Sequence, residues 1–240
     1  MESPLLLALS RQLAVRDQME TIANNVANMS TPAYKGERTL FHEYMSGPTG
    51  QNQQIIFPQL KGIFRETHEG AVSTTGNSLD VALRGKGYLV IETPQGNRFT
   101  RDGHLSLNNK NQIVTQQGYP VLGVNNRPMT VPQDAKSVSI AGDGSISAGD
   151  VRVGQFKLVA FENEQHLVRT GDGLYRTDAT PTKATDVDVL QGNLEGSNIQ
   201  PVLEITRMIE ASRIYQSAQK IVNSEDERIR KAIERLSKVA

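Results

Sequence analysis

The strongest constraint on this chain is an apolar residue at every seventh position near its C-terminal end. The repeat runs without interruption through five residues: Met208, Tyr215, Val222, Ile229 and Leu236. Seven residues make about two helical turns, so such a repeat is typical of an α-helix packed along another helix. It predicts a helix over residues 199–237, roughly 55 Å long at about 1.5 Å per residue. A small domain does not cover that length, so we expect much of this helix to pack elsewhere.

A second track accompanies this repeat and is apolar only at its two ends: Ile205, Ser212, Gln219, Asp226 and Ile233. Acidic residues stand four positions before basic ones on the exposed side, an order that supports a helix weakly. Ser224 is followed by three acidic residues in the pattern of a capping box, so the sequence leaves open a helix break there.

A heptad pattern also occupies the N-terminal residues and predicts a helix over residues 3–29. Ser3 suits the N-cap and Pro4 the first helical position. The predicted seam consists of Leu5, Ala8, Gln12, Val15, Met19, Ile22 and Val26. Three leucines beside it widen the apolar face: Leu6, Leu9 and Leu13. An amphipathic helix on a globular core explains the pattern equally well.

Three asparagines mark the end of the predicted N-terminal helix: Asn24, Asn25 and Asn28. Asparagine is a poor helix former, and simple C-capping explains only one of them. We expect their amides to bond the backbone at a chain reversal or across subunits. Pro32 disfavours helical geometry at Thr31, so the chain must turn there.

The middle of the chain predicts an all-β domain. Short β-branched runs such as residues 88–91 and 156–161 are separated by turn signals such as Gly142-Asp143-Gly144. Residues 46–53 resemble a flexible connector. We therefore predict a mixed fold, in which the all-β domain is flanked by terminal α-helices that pack together as a coiled-coil-like stalk. The predicted segments are 1–35 (N-terminal helix and turn), 36–70 (connector and extended segment), 71–190 (β domain) and 191–240 (C-terminal helix).

Composition argues against an enzyme. The chain has no cysteine, which excludes disulfides and thiol catalysis, and its 26 basic residues balance 26 acidic ones, which argues against a nucleic-acid partner. The histidines do not stand at metal-ligand spacing: His42, His68, His104 and His166. We predict no cofactor, no metal site, no membrane span and no ordinary signal peptide.

Three basic residues could suggest an anion site: Lys35, Arg38 and Arg101. The simpler interpretation is that they are solvated or pair with acidic residues nearby in sequence: Glu37, Glu43 and Asp102. We expect the simpler interpretation to hold.

Four blocks, in order, resemble the bacterial flagellar rod and hook family. The first is Ala23-Asn24-Asn25-Val26-Ala27-Asn28 followed by Thr31-Pro32-Ala33-Tyr34-Lys35. The others are residues 75–88, Phe99-Thr100-Arg101-Asp102-Gly103, and residues 192–199 with 208–215. The opening residues 9–12 and the compact length are most similar to proximal-rod members, with distal-rod members as the close alternative.

The resemblance implies a structural subunit that is exported by the flagellar type III apparatus without a cleaved leader. It would assemble in the periplasm with copies of itself and other rod proteins into a helical tube of the basal body, which transmits motor torque to the hook. A secreted β-domain binding protein with a coiled coil is the alternative from a different class. The residues that we expect to carry assembly are Leu5, Val15, Met19, Ile22, Val26, Asn24, Asn25, Asn28, Thr31, Lys35, Leu194, Ser197, Asn198, Ile205, Met208, Tyr215, Val222, Ile229 and Leu236.

Overall fold

The computed structural model describes residues 3–46, 55–135 and 137–237. It confirms the order of an N-terminal helix, a β-rich centre and a C-terminal helix. The chain divides into two compact units. The helical unit consists of the described residues of Met1–Ala27, Glu37–Glu66 and Gln200–Ala240, and the β-rich unit of Asn28–Gly36 and Thr67–Ile199.

Two helices and one hairpin form the helical unit: α1 (Ser3–Ala27), β1 (Glu37–Ser46), β2 (Ile55–Arg65) and α2 (Pro201–Ser237). Both predicted helices are present to within two residues at each end. α2 continues through Ser224, so the capping-box break does not occur. The hydroxyl of Ser224 instead donates to the carbonyl of Ile221 within the helix (2.9 Å). The predicted connector falls largely on residues 47–54, outside the described residues.

α1 and α2 pack antiparallel through a buried cluster, which we call the inner seam: Val15, Met19, Ile22, Val26, Met208, Ala211 and Tyr215. Two polar contacts fix the direction. Gln12 Nε2 donates to Gln219 Oε1 (2.5 Å), and Asn25 Nδ2 donates to Glu204 Oε2 near the start of α2 (3.3 Å). If the same pairing continues to the start of α1, Ser3 lies opposite about Arg228. The turns of α2 after Arg228 therefore extend beyond the described part of α1.

The companion track of α2 differs from the predicted one. Ala211 and Ala218 are the buried partners of the seven-residue repeat, whereas Ile205 is 48% exposed. Positions three and four apart share a helix face, so Ala211 and Ala218 lie between Met208, Tyr215 and Val222. A small side chain at those positions lets the two helix backbones approach closely. Of the predicted track, Ile205 is exposed and Ser212 is half-buried, while Gln219 contacts α1 through Gln12.

The β1–β2 hairpin occupies most of the predicted connector and extended segment. The strands pair antiparallel, with an irregularity after Leu40, which stands opposite Gly62. Both strands contact α1. Large apolar side chains of the hairpin are nevertheless exposed: Leu40, Phe41, Leu60, Ile63 and Phe64. A two-stranded ribbon is marginally stable by itself in water, so this one depends on what covers it.

The β-rich unit contains fifteen short strands: β3 (Val72–Thr74), β4 (Val81–Arg84), β5 (Tyr88–Thr93), β6 (Gly96–Thr100), β7 (Leu105–Leu107), β8 (Ile113–Thr115), β9 (Val138–Ile140), β10 (Ser145–Ala148), β11 (Val151–Gln155), β12 (Leu158–Ala160), β13 (Val168–Gly171), β14 (Leu174–Arg176), β15 (Thr182–Lys183), β16 (Asp188–Gln191) and β17 (Asn193–Glu195). The largest sheet has six strands in the order β13-β14-β6-β5-β12-β15. Three more form a sheet β11-β10-β9, and β16-β4, β17-β3 and β7-β8 pair separately.

β5 is the central strand of this unit because both of its faces are buried. Leu89 and Ile91 enter one apolar cluster with Phe156, and Tyr88 and Val90 enter another. Successive side chains of a strand point to opposite faces, so a strand buried on both sides reads as a continuous apolar run. The continuous apolar run at residues 88–91 is explained by this burial on both faces.

Replacing Ile22 with alanine should lower the free energy of unfolding of the helical unit by about 2–5 kcal/mol, because the side chain is buried in the inner seam. The control is Leu13→Ala on the same helix, where the side chain is exposed and the effect should stay within about 0.5 kcal/mol. Thermal unfolding of the isolated subunit, followed by circular dichroism, measures both. Equal losses would contradict the assigned inner and outer faces of α1.

Candidate functional site

Each helix carries an exposed apolar stripe besides the inner seam, and the two stripes lie toward opposite ends of the helix pair. On α1 it is the outer α1 stripe, with residues three and four apart on one face: Leu6, Leu9 and Leu13. On α2 it is the outer α2 stripe, with the same spacing: Val202, Ile205 and Ile209. Leu9 is 46% and Ile209 48% exposed in the isolated chain. Exposed apolar residues grouped in this way mark surfaces that other molecules cover.

The predicted assembly residues of the seven-residue tracks separate into three groups. Six of them meet in the inner seam: Val15, Met19, Ile22, Val26, Met208 and Tyr215. Val222 is half-buried, while Ile205 and Ile229 are exposed. The side chains of Leu5 and Leu236 lie outside the described residues. One helix pair therefore accounts for the middle of the predicted tracks and leaves Ile205 and Ile229 on the surface.

Asn25 joins the end of α1 to the beginning of β1. Its buried amide donates to the carbonyl oxygen of Glu37 (2.8 Å) and accepts from the amide of the same residue (3.0 Å). The Asn25 side chain thus makes the two main-chain hydrogen bonds that a neighbouring strand would otherwise make with Glu37, the first residue of β1. Asn28 accepts from the hydroxyl of Thr31 (3.2 Å) in the turn that follows. Asn24 is exposed on α1.

Glu204 is the buried acid of the helical unit, and three residues surround its carboxylate. Arg207 donates to it (2.6 Å), Asn25 donates from α1, and Arg38 of β1 lies 3.9 Å away. Arg38 also pairs with Glu66 beyond β2. This cluster ties the hairpin to both helices. The sequence did not reveal it, because its members are distant along the chain.

Lys35 and Arg101 do not follow the expected pairing with acids close by in sequence. Both bind Glu195 in the interior of the β-rich unit: Lys35 Nζ donates to Oε1 (2.5 Å) and Arg101 Nε to Oε2 (2.9 Å). Lys35 and Glu195 are each 2% exposed. Burial lowers the pKa of the Lys35 ammonium, and Glu195 acts against that change. We call these three residues the Glu195 cluster.

Arg101 is fixed independently of Lys35. Its guanidinium donates to three main-chain carbonyls, at Leu83 (2.8 Å), Gly85 (2.7 Å) and Gly87 (3.1 Å). These bonds hold Arg101 against the chain around β4 and β5 and aim its Nε at Glu195. The Phe-Thr-Arg-Asp-Gly block therefore supplies a buried structural cation.

The C-terminal block forms the other side of the contact with residues 33–36. Asn198 Oδ1 accepts from the amide of Gly36 (2.8 Å), and the amide of Asn198 donates to the carbonyl of Tyr34 (3.2 Å). The hydroxyl of Ser197 accepts from the amide of Ile199 (3.2 Å), and Leu194 is half-buried in β17. The structure thus brings Lys35 and Asn198, from two predicted blocks, into one site.

Within residues 3–46, 55–135 and 137–237, no group of histidine and acidic residues is placed to hold a metal ion. Over the same ranges, no helix combines the length and apolar character needed to cross a bilayer. The clusters described above join chain segments to one another.

Comparison with known families matches most of the chain in three parts. Residues 5–35 match the family described as flagella basal body rod protein, and residues 190–235 match the C-terminal family of the flagellar basal-body rod proteins FlgE, FlgF and FlgG. Residues 82–148 match the D1 domain of flagellar hook protein FlgE/F/G. The two terminal matches contain α1 with its turn and most of α2.

Curated relatives match over the whole length. The flagellar basal-body rod protein FlgF of Caulobacter vibrioides is 35% identical over 100% of both chains. The chain belongs to the flagellar basal-body rod protein family. FlgF of Mesorhizobium japonicum is 33% identical over 96% of this chain and 98% of its own, and FlgG of Bacillus subtilis is 34% identical over 88% and 90%. Within the family, the chain is most like FlgF.

Replacing Asn25 with alanine should destabilise the helical unit by about 1–3 kcal/mol, because the main-chain groups of Glu37 lose their partner in a buried site. Hydrogen exchange at the Glu37 amide should accelerate in parallel. Arg11→Ala, at an exposed position of the same helix, is the control and should change stability by less than about 0.5 kcal/mol. If the Arg11 variant loses as much stability as the Asn25 variant, the assigned role of Asn25 is wrong.

Proposed function

We propose that this protein is a structural subunit of the proximal rod of the bacterial flagellar basal body, without catalytic activity. Its terminal helices join copies of the chain, and other rod subunits, into a helical tube that transmits motor torque to the hook. One observation supports this most directly: both terminal helices expose an apolar stripe after they have packed on each other. Membership of the rod family supports the biological setting.

Burial of the outer stripes favours assembly. Full burial of an exposed valine, leucine or isoleucine contributes about 1.5–3 kcal/mol. The two stripes hold five leucines or isoleucines and one valine, each already partly buried, so each gains part of that amount, and a neighbouring copy presents the same stripes in return. Part of this energy is offset by the loss of freedom on association. Each subunit of a tube makes this contact with several neighbours, so a small favourable free energy at each contact adds up over the assembly.

The exposed ends of α2 and of the hairpin offer further contacts. Ile229 and Ile233 lie in the turns of α2 that extend past the described part of α1. We propose that a helix of another subunit covers them and completes coiled-coil packing along the seven-residue repeat. The apolar residues of β1 and β2 fit the same kind of neighbour, since an exposed ribbon with that composition needs a covering surface.

The family also suggests the route and the place of assembly. We propose export through the flagellar type III apparatus without a cleaved signal peptide, followed by assembly into the rod in the periplasm. The choice of the proximal rod is supported by the FlgF relatives, which match over the full length. FlgG relatives match a smaller share of this chain, so a distal-rod role is the second candidate within the family.

The alternative from another class is a secreted binding protein that oligomerises through its helices. Its binding surface would lie on the β-rich unit, and substitutions there would abolish function. A rod subunit places its essential contacts on the terminal helices. Substitution of exposed apolar residues should therefore abolish function in the helical unit of a rod subunit, but in the β-rich unit of a secreted binding protein.

Leu9→Glu and Ile209→Glu should each prevent rod completion and motility while leaving a folded subunit, because both side chains are exposed in the single chain. A carboxylate buried at an interface without a partner opposes association strongly. The matched control is Val124→Glu on the β-rich unit, where the side chain is 58% exposed. Swimming assays and electron microscopy of isolated basal bodies give the result.

Circular dichroism and an export assay on the same variants separate assembly from folding and secretion. Normal rods with Leu9→Glu and Ile209→Glu would contradict assembly through the terminal helices. Loss of function with Val124→Glu alone would favour the secreted binding protein.

A further inference from the structure

Residues 28–36, which link α1 to β1, belong to the β-rich unit although they lie between two elements of the helical unit. We call them the Lys35 segment. Three of its main-chain bonds join it to Glu195 and Asn198: Ala33 donates to the carbonyl of Glu195 (2.8 Å), Asn198 to that of Tyr34 (3.2 Å), and Gly36 to Asn198 Oδ1 (2.8 Å). Arg169 donates to the carbonyl of Lys35 (2.9 Å) and lies over the ring of Tyr34 (4.2 Å).

The conformation of this segment is imposed by its contacts. Ala33 has a φ of 53° in the left-handed region, which is unfavourable for a residue with a Cβ. The Lys35 ammonium also gives up its hydration for the interior of the β-rich unit. Both terms oppose docking, and they are offset by the bonds that the segment makes there and by the burial of Ala33 and Tyr34.

Every group that binds the Lys35 ammonium has a second partner. Oε1 of Glu195 also accepts from the amide of Gly70 (3.1 Å), and Oε2 accepts from Arg101 (2.9 Å). The carbonyl of His68, which accepts from Lys35 Nζ (2.8 Å), also accepts from Asn198 Nδ2 (3.1 Å). If Lys35 left, no charge would stay buried without a partner, and the lysine itself would be hydrated.

We infer that the Lys35 segment is a releasable latch, which docks into the β-rich unit and undocks from it as one element while the rest of that unit stays folded. Lys35 is the positioning residue of the latch, and Glu195 is its receptor. Docked, the link between α1 and β1 is held in one conformation. Undocked, it becomes a nine-residue loop whose two ends stay close together, because Asn25 still holds Glu37 at the end of α1.

The latch also sets an order of events during folding. Glu195 stands 160 residues after Lys35, so the receptor does not exist until the chain is complete almost to α2. The Lys35 segment must therefore stay undocked until the β-rich unit has formed. Because the β-rich unit must form without the docked segment, that unit is expected to stay folded when the segment opens locally.

Hydrogen exchange of the full chain, read by mass spectrometry, tests this inference. The variant is Lys35→Met, which keeps the length of the side chain and removes the charge. Loss of a charge-assisted bond should speed exchange of the amides in residues 28–36 about tenfold or more. Exchange in β5 and β6 should stay unchanged. Lys110→Met, an exposed lysine of the same unit, is the control and should alter neither region.

Two results would overturn the latch. If Lys35→Met speeds exchange in β5 and β6 as well as in residues 28–36, Lys35 belongs to the cooperative core of the unit. If exchange in residues 28–36 is unchanged, Lys35 does not hold the segment. The wild-type chain gives a second test that needs no variant. Its amides in residues 28–36 should exchange as one group and faster than those of β5, and equal protection of both would also refute the latch.

Discussion

The rest of the structure depends on the antiparallel pairing of two helices from opposite ends of the chain. Val15 and Ile22 of α1 meet Ala211 of α2 in a narrow seam, because alanine lets the backbones come close. This pairing uses one face of each helix and leaves the leucines and isoleucines of the other faces exposed. A single chain thus buries only part of the apolar surface of its helices, and the exposed remainder is available for contact with neighbouring copies.

Buried charges hold the connections between segments. Glu204 gathers Asn25, Arg38 and Arg207 in the helical unit, and Glu195 gathers Lys35 and Arg101 in the β-rich unit. Removing one member of such a pair costs more than the pair itself contributes, because the other charge stays buried. Their role is therefore to specify which segments meet. At Lys35 the second partners of Glu195 and of the His68 carbonyl reduce this cost, which supports the proposed local opening there.

The sequence predicts the two helices well, since residues seven positions apart lie on the same face of a helix and a repeat of apolar residues at that spacing is typical of a packed helix. It does not indicate the burial of Ala211 and Ala218, which carry little apolar signal, while Ile205 of the predicted track is exposed in the single chain. For residues 36–70 it predicts a connector and an extended segment and does not indicate the β1–β2 hairpin, since a Gly- and Gln-rich stretch separates the two strands. The partners of Lys35 and Arg101 could not be found, because Glu195 lies far along the chain and no local pattern points to it.

The central claim is that the outer faces of α1 and α2 join neighbouring subunits. A cryo-electron microscopy reconstruction of basal bodies containing this protein tests it most directly, through the surroundings of Leu9 and Ile209. We expect both side chains, exposed in the single chain, to be buried against helices of adjacent subunits. A reconstruction in which they face solvent, while the β-rich units make the principal contacts between subunits, would contradict the claim.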